Sequence, residues 1–170
     1  ISCCALAALT ALSASVNTEA WTVASQFNQD QSASKLRMST STEACASTFT
    51  VAQFLCRSDN YGYLLHDPST GATAAIDTPS ARTYKEELES RGWTLTHILN
   101  THHHGDHTDG NIELKQDGVT IIGPINEKQK IPGIDTPVGD GDTVQFGKFK
   151  AIVMDAGGHT KGHVAYYFPE

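Results

Sequence analysis

From position 48 onward, short runs of apolar residues alternate with groups of turn-forming residues. Phe49, Val51 and Phe54 with Leu55 predict a first strand, and positions 61–66 and 72–76 predict two more. Between the last two strands, the sequence Asp-Pro-Ser-Thr-Gly at 67–71 has the residue chemistry of a turn. The pattern therefore predicts an antiparallel meander at the start of the folded region.

After the third predicted strand, the spacing of apolar residues changes from the two-residue repeat of a strand to the repeat of a helix. Ala81, Tyr84 and Leu88 fall on one face, with charged residues on the other. Thr78 is predicted to cap this helix with Pro79 in its first position, and Gly92 follows its end. Positions 94–99 then predict a strand that leads into the histidine-rich segment.

The remainder again mixes the two periods. We predict a helix over 109–116 closed by Gly118, and an irregular segment with three prolines over 123–141. The predicted strands of this part are 119–122, 143–146, 149–154 and 164–168, the second and third forming a hairpin across 147–148. The order of elements indicates an α/β (α+β) domain over residues 48–170.

Residues 1–47 differ in composition from this domain. Positions 3–16 are uncharged and largely apolar, Ser-Ala-Ser at 13–15 resembles a cleavage site, and 17–47 is rich in Ser, Thr, Ala and Gln. The apolar part falls short of the roughly 20 residues that span a bilayer, so we expect no membrane association of the mature form. We interpret 1–47 as a leader that directs the chain to an organelle, a plastid or mitochondrion; the alternative is a merely disordered extension. If the leader is not functional, we expect a cytoplasmic protein.

Charge and cysteine content narrow the class of protein. A net charge of −7 and a pI near 5.5 argue against a nucleic-acid surface. The four cysteines show no Cys-x-x-Cys spacing and imply no disulfide framework. The chain begins with Ile1 and stops after the apolar run 164–168, so we expect it to be incomplete at both ends.

The strongest chemical signal is Thr-His-His-His-Gly-Asp-His at 101–107, directly after a predicted strand. His102 and His104 lie two residues apart and project to one side of an extended backbone, whereas His103 projects to the other. Asp106 and His107 follow one short turn later. Imidazole and carboxylate without thiolate favour zinc, iron or manganese, and the spacing suits two adjacent metal ions.

Five segments of the chain form a further pattern: Ser-Asp-Asn-Tyr-Gly-Tyr-Leu at 58–64, Ala-Ile-Asp-Thr-Pro at 75–79, Thr-His-His-His at 101–104, His-Thr-Asp-Gly-Asn at 107–111 and Gly-His-Thr-Lys-Gly-His at 158–163. In this order, they resemble glyoxalase II, the hydroxyacylglutathione hydrolases of the metallo-β-lactamase superfamily. The resemblance implies an αββα sandwich, of which this chain supplies the first half to two-thirds. Gly105 and the Asp-Ala-Gly sequence at 155–157 depart from the usual pattern of the family.

The resemblance also implies a ligand set and a reaction. His102, His104 and His159 would hold one metal, and Asp106 and His107 a second, with Asp106 also taken as catalytic; zinc is favoured over iron or manganese. The implied substrate is S-(2-hydroxyacyl)glutathione, typically S-D-lactoylglutathione, hydrolysed by a monomer in methylglyoxal detoxification. A bridging aspartate, a final histidine and the glutathione-binding residues are expected beyond Glu170, so we expect this fragment alone to be inactive.

The other histidines and two aspartates receive different interpretations. His163, His66 and His97 are taken as structural, whereas Asp77 and Asp155 lie near strand ends and could accept hydrogen bonds from metal-bound imidazoles. Two alternatives to the thioesterase stay open. One is a persulfide dioxygenase with a single iron, and the other is a metal-binding fragment without turnover. A lactonase or β-lactamase is less favoured.

Overall fold

A computed structural model describes residues 48–169. The predicted leader, residues 1–47, lies outside the described residues. Within this range, no helix is both long and apolar enough to cross a bilayer.

The described residues form two sheets, and the first has six strands in sequence order. They are β1 (Thr50–Cys56), β2 (Asn60–His66), β3 (Thr73–Ile76), β4 (His97–Leu99), β5 (Thr120–Pro124) and β6 (Thr136–Val138). The pairs β1–β2 and β2–β3 are antiparallel, which confirms the predicted meander. The pairs β3–β4, β4–β5 and β5–β6 are parallel, so the carboxyl ends of β3, β4 and β5 meet at one edge.

The second sheet contains β7 (Thr143–Phe146), β8 (Phe149–Asp155) and β9 (Val164–Tyr167), all antiparallel. Phe146 pairs with Phe149, as the predicted hairpin requires. The connection from β8 to β9, residues 156–163, carries His159.

Helix α1 (Ala81–Arg91) packs on the first sheet through Ala81, Tyr84 and Leu88, the face that the pattern predicts. Its cap differs from the prediction: Ser80, not Thr78, accepts the hydrogen bond from Thr83 N. Thr78 is not free to cap, because its hydroxyl donates to Asn111 Oδ1 across 2.6 Å. Gly92 ends the helix in the left-handed conformation, φ 66°, as predicted.

Two further predictions were wrong in detail. The helix expected over 109–116 is replaced by α2 (Gly105–Thr108) and α3 (Asn111–Leu114), because Gly110 N is hydrogen-bonded to Thr78 O across the fold. The segment expected to be irregular contains the end of β5, a 3₁₀ turn (Ile125–Glu127) and β6.

Two apolar cores separate three layers. One core lies between α1 and the first sheet, and includes Phe54, Leu64, Tyr84, Ile98 and Ile121. The other lies between the sheets, and includes Leu65, Leu99, Phe146, Val153 and Val164. The described residues thus form a helix–sheet–sheet stack, consistent with the first part of an αββα sandwich.

Candidate metal centre

The histidine-rich loop leaves the carboxyl end of β4, and a buried amide pair fixes its path. Asn100 Nδ2 donates to His107 O across 3.1 Å, and Asn111 Nδ2 donates to Asn100 Oδ1 across 2.7 Å. Asn100 N is also hydrogen-bonded to Ile122 O of β5. The start of the loop is therefore tied to the sheet edge, and the last of its histidines to the start.

Three imidazoles from the two sheets converge at this edge. His102 Nε2 lies 3.2 Å from His104 Nδ1, which lies 3.0 Å from Nε2 of His159 on the β8–β9 connection. One nitrogen from each of the three rings lies within 4.8 Å of the other two. The structure thus brings together residues 55 positions apart in the chain.

These separations suit a single divalent cation. With metal–nitrogen bonds of about 2.0–2.1 Å, tetrahedral geometry places neighbouring ligand nitrogens roughly 3.3–3.4 Å apart. The observed 3.2 and 3.0 Å fall slightly short of this spacing. The donor set of three imidazoles and no thiolate fits zinc and also iron.

The surroundings of His102 favour its metal-binding form. The ring is 2% exposed, and Thr101 Oγ1 lies 2.9 Å from Nδ1, which leaves Nε2 facing the other two imidazoles. Burial and the neighbouring His107 lower the pKa of His102 to about 4. A neutral imidazole at neutral pH is the species that binds a cation.

Asp106 and His107 form a second group beside the three imidazoles. His107 Nε2 lies 3.5 Å from Asp106 Oδ2, and the ring centroids of His102 and His107 are 4.1 Å apart. His107 Nδ1 is hydrogen-bonded to Asp77 Oδ2 across 2.8 Å, and this bond raises the pKa of His107. A carboxylate oxygen and one imidazole nitrogen thus lie side by side, and both are groups that bind divalent cations.

Asp77 is in the position predicted for it, next to a ligand-type histidine. Its two oxygens also accept hydrogen bonds from Thr101 N and Thr101 Oγ1, each across 2.8 Å. Its backbone is left-handed, with φ 55°, a conformation in which Asp and Asn are enriched. Asp155 does not take a similar part: its Oδ1 accepts from Gly157 N instead.

Asn60, the first residue of β2, contacts this second group, and the sequence did not predict that contact. Asn60 Nδ2 lies 3.2 Å from Asp106 O and 3.4 Å from Asp106 Oδ2. Arg57 donates to Pro79 O and to Asp109 Oδ2, each across 2.7 Å. Burial acts to raise the pKa of Asp106, but the Asn60 amide and the nearby His107 outweigh it and lower that pKa. Asp106 is thereby kept as a carboxylate.

The remaining histidines lie largely as expected. His103 turns away from the imidazole cluster toward Glu127. His66 stacks on Trp93, and His97 Nδ1 lies 2.8 Å from Thr96 Oγ1. His163 is closer to the centre than its structural interpretation implied, with its ring centroid 4.9 Å from that of His102.

Proteins of known family resemble this chain in sequence. No protein-family model matches the chain. A hydroxyacylglutathione hydrolase from Rhizobium meliloti (strain 1021) is 58% identical over 118 residues, which are 69% of this chain and 46% of the relative. The chain spans about half the length of the curated relatives it matches.

Solved structures give the same fold. The crystal structure of ETHE1 from Myxococcus xanthus superposes with a TM-score of 0.60 and 27% identity, over 70% of this chain and 53% of that one. A metallo-β-lactamase from Staphylococcus aureus subsp. aureus COL gives a TM-score of 0.59 and 22% identity, over 74% of this chain and 40% of that one.

The described part of the chain therefore has the metallo-β-lactamase fold, with an imidazole cluster that indicates divalent-metal binding. In sequence, the chain is a homologue of proteins named hydroxyacylglutathione hydrolase.

Proposed function

We propose that this chain carries the metal-binding part of a hydrolase that cleaves S-(2-hydroxyacyl)glutathione thioesters, with S-D-lactoylglutathione as the typical substrate. One observation carries the proposal: the three-imidazole cluster lies directly beside the Asp106–His107 group, with 4.1 Å between the ring centroids of His102 and His107. This arrangement offers two neighbouring cation sites. The identity with hydroxyacylglutathione hydrolases supports the choice of substrate.

The residues divide into two sets of ligands in this proposal. His102 Nε2, His104 Nδ1 and His159 Nε2 would hold the first cation, and Asp106 with His107 Nε2 the second. Zinc is the favoured ion, with iron and manganese as alternatives. Bound divalent cations lower the pKa of a water molecule toward neutrality and polarise an acyl oxygen, which are the two needs of thioester hydrolysis.

The protein's own residues set the direction and charge of these ligands. Asp77 holds the His107 ring so that Nε2 faces Asp106, and Asn60 holds Asp106. Within residues 48–169, the side-chain hydrogen bonds of the five proposed ligands run to Asp, Asn and Thr and to one another, and none runs to a serine or cysteine. This fits attack by water, since these ligands engage no serine or cysteine as a nucleophile. The leaving thiolate needs little protonation, since a thiol has a pKa of about 8.5.

Further features of the proposal concern the protein as a whole. We propose that it acts as a monomer on a small glutathione thioester, without nucleic acid.

We also propose that residues 1–47 direct it to a plastid or mitochondrion. Fusing these residues to a fluorescent protein would test the address: organelle fluorescence is expected, and a uniformly cytoplasmic signal would contradict it.

The decisive test combines metal content with catalysis in the protein translated through to its natural stop codon. Two cations per chain are expected, together with hydrolysis of S-D-lactoylglutathione that falls on the order of a thousandfold in His104→Ala. His66→Gln is the matched control, because this ring stacks on Trp93 away from the cluster. One iron per chain, with oxygen uptake on glutathione persulfide and no thioester cleavage, would overturn the proposal in favour of a dioxygenase. Metal binding without either reaction would indicate a binding module.

A further inference from the structure

A single buried carboxylate connects the two loops that carry the three-imidazole cluster. Glu127 ends the 3₁₀ turn after β5, and its side chain is 6% exposed. Its Oε2 accepts a hydrogen bond from His103 N across 2.9 Å and lies 2.7 Å from His103 Nδ1. Its Oε1 accepts from Gly162 N across 3.0 Å.

The partners of Glu127 belong to the two loops that carry the three imidazoles. His103 stands between His102 and His104, whereas Gly162 lies three residues after His159. One oxygen of Glu127 is thus committed to the loop after β4, and the other to the β8–β9 connection. Because the carboxyl group is rigid and planar, the two contacts together restrict the distance between the loops.

The approach of Glu127 to the β8–β9 connection depends on a glycine. A Cβ atom at position 162 would lie 2.7 Å from Glu127 Cγ and 2.9 Å from Asn126 Cβ. Real side chains do not approach so closely, so any larger residue would push the 3₁₀ turn and the connection apart. The absence of a side chain at position 162 therefore leaves the space that Glu127 occupies.

The bonding pattern also requires the charged form of the acid. Burial acts to raise the pKa of Glu127, but the nearby Thr160 hydroxyl, the His103 ring and Gly162 N–H outweigh it and lower this pKa to about 2. A carboxylate accepts at both oxygens, whereas a protonated acid or an amide would direct a donor at one of the two backbone N–H groups. Glutamine is therefore a poor substitute despite its equal size.

We propose that Glu127 is a positioning residue for the metal centre, which sets the distance between the His102–His104 pair and His159 by binding both of their loops. This role rests on the proposed function only in requiring that the three imidazoles bind a cation. Glu127 reaches the cluster through His103 and Gly162, and it is not itself a ligand. Variants of Glu127 should therefore keep all three imidazole ligands, but they should bind the cation less tightly and with an altered coordination geometry.

The test measures Zn²⁺ affinity of the full chain by competition with a chromophoric chelator, and the visible absorption of the Co²⁺-loaded chain. Glu127→Gln is expected to weaken Zn²⁺ binding by about 10–100-fold, the usual range for residues that orient metal ligands, and to change the Co²⁺ spectrum. Glu89→Gln is the matched control, since Glu89 is exposed on α1. Affinity and spectrum within threefold of wild type in Glu127→Gln would overturn the positioning role.

A pair of variants at His103 tests the same role with every Glu127 backbone contact intact. His103→Asn keeps an N–H donor near the Nδ1 position, whereas His103→Leu removes it, so affinity should fall severalfold in the leucine variant and recover in the asparagine variant. This pair decides the matter if Glu127→Gln proves unfolded by circular dichroism in the presence of chelator. Equal affinities in both variants and wild type would contradict the proposal. A wild-type chain that binds neither Zn²⁺ nor Co²⁺ would instead contradict the proposed metal centre, and the positioning role with it.

Discussion

His107 Nδ1 lies 2.8 Å from Asp77 Oδ2, which joins the end of β3 to the helical turn that follows the histidine-rich loop. The same carboxylate holds Thr101 by its backbone and hydroxyl groups, so one aspartate fixes both ends of the loop. Its left-handed backbone, φ 55°, is the cost of pointing the side chain back under the loop.

We predict that Asp77→Asn selectively weakens the second cation site. Asparagine keeps the shape and tolerates the left-handed backbone, but it lacks the charge that orients His107. Affinity for the second cation should fall about 10–100-fold, and affinity for the first much less. Calorimetric titration with Zn²⁺ resolves the two steps, with the exposed Asp117→Asn as the control. Equal losses at both sites would refute the assignment of His107 to the second cation.

A second prediction concerns Asn60, whose amide contacts Asp106. Without this donor the pKa of Asp106 should rise toward its ordinary 3.8, because the amide favours the carboxylate. Loss of about 1 kcal/mol of hydrogen bonding in Asn60→Ala corresponds to roughly fivefold weaker second-site binding. Zn²⁺ titration at pH 7 provides the measurement. Wild-type affinity in Asn60→Ala, or an equal loss in the exposed Gln129→Ala, would argue against this role.

A third prediction uses Asp67, which is buried where the β2–β3 turn meets the β7–β8 turn. Burial acts to raise its pKa, but hydrogen bonds from Ser69, Lys148 N and Thr70 outweigh it and lower the pKa. The folded protein thus binds this proton less readily than the unfolded chain. The resulting stabilisation is present above pH 3.8 and is lost as the pH falls below that value.

Asp67→Asn should therefore lower the melting temperature at pH 7, by on the order of 5 °C. The difference between variant and wild type should shrink as the pH is lowered below 3.8. Thermal melts at several pH values, in the presence of chelator, provide the measurement. A difference that does not change with pH would show that the charge of Asp67 is not responsible.

Gly110→Ala provides a prediction about packing. A Cβ atom at this position would lie 2.8 Å from Thr78 O and 2.9 Å from Ala81 N, which are backbone atoms that cannot turn aside. We expect a loss of about 1–3 kcal/mol in the free energy of unfolding, measured by urea denaturation. Gly139→Ala is the control, because its nearest neighbour would be 3.4 Å away. A neutral Gly110→Ala variant would show that α1 and α3 can separate freely.

The sequence predicted best those elements whose signal is local. The β1–β3 meander, the buried face of α1 and the β7–β8 hairpin follow from alternation, helical spacing and turn residues. Thr78 was misassigned as a cap because its partner, Asn111, lies 33 positions away. β6 was missed because it has three residues, one of them proline, and is defined by parallel pairing with β5.

The residues of the candidate site also divide into those with a local sequence signal and those without one. The motif placed His102, His104, Asp106 and His107 in one loop, and the family resemblance added His159; their roles as ligands stay predictions. Asn60 and Glu127 could not be found in this way. Each is a single polar residue without a local pattern, and it reaches the site only after the β1–β2 turn or the 3₁₀ turn has packed against a loop distant in the chain.

The convergence of His104 and His159 from different sheets makes cation binding and folding one linked equilibrium. An ion held by both is bound fully only when the two layers are assembled. A higher concentration of free cation should therefore stabilise the folded state. At a concentration one hundred times the dissociation constant, the free energy of unfolding should be larger by about 2.7 kcal/mol than in the absence of cation. On this reasoning, the thermal stability of the protein reports the metal supply of its surroundings.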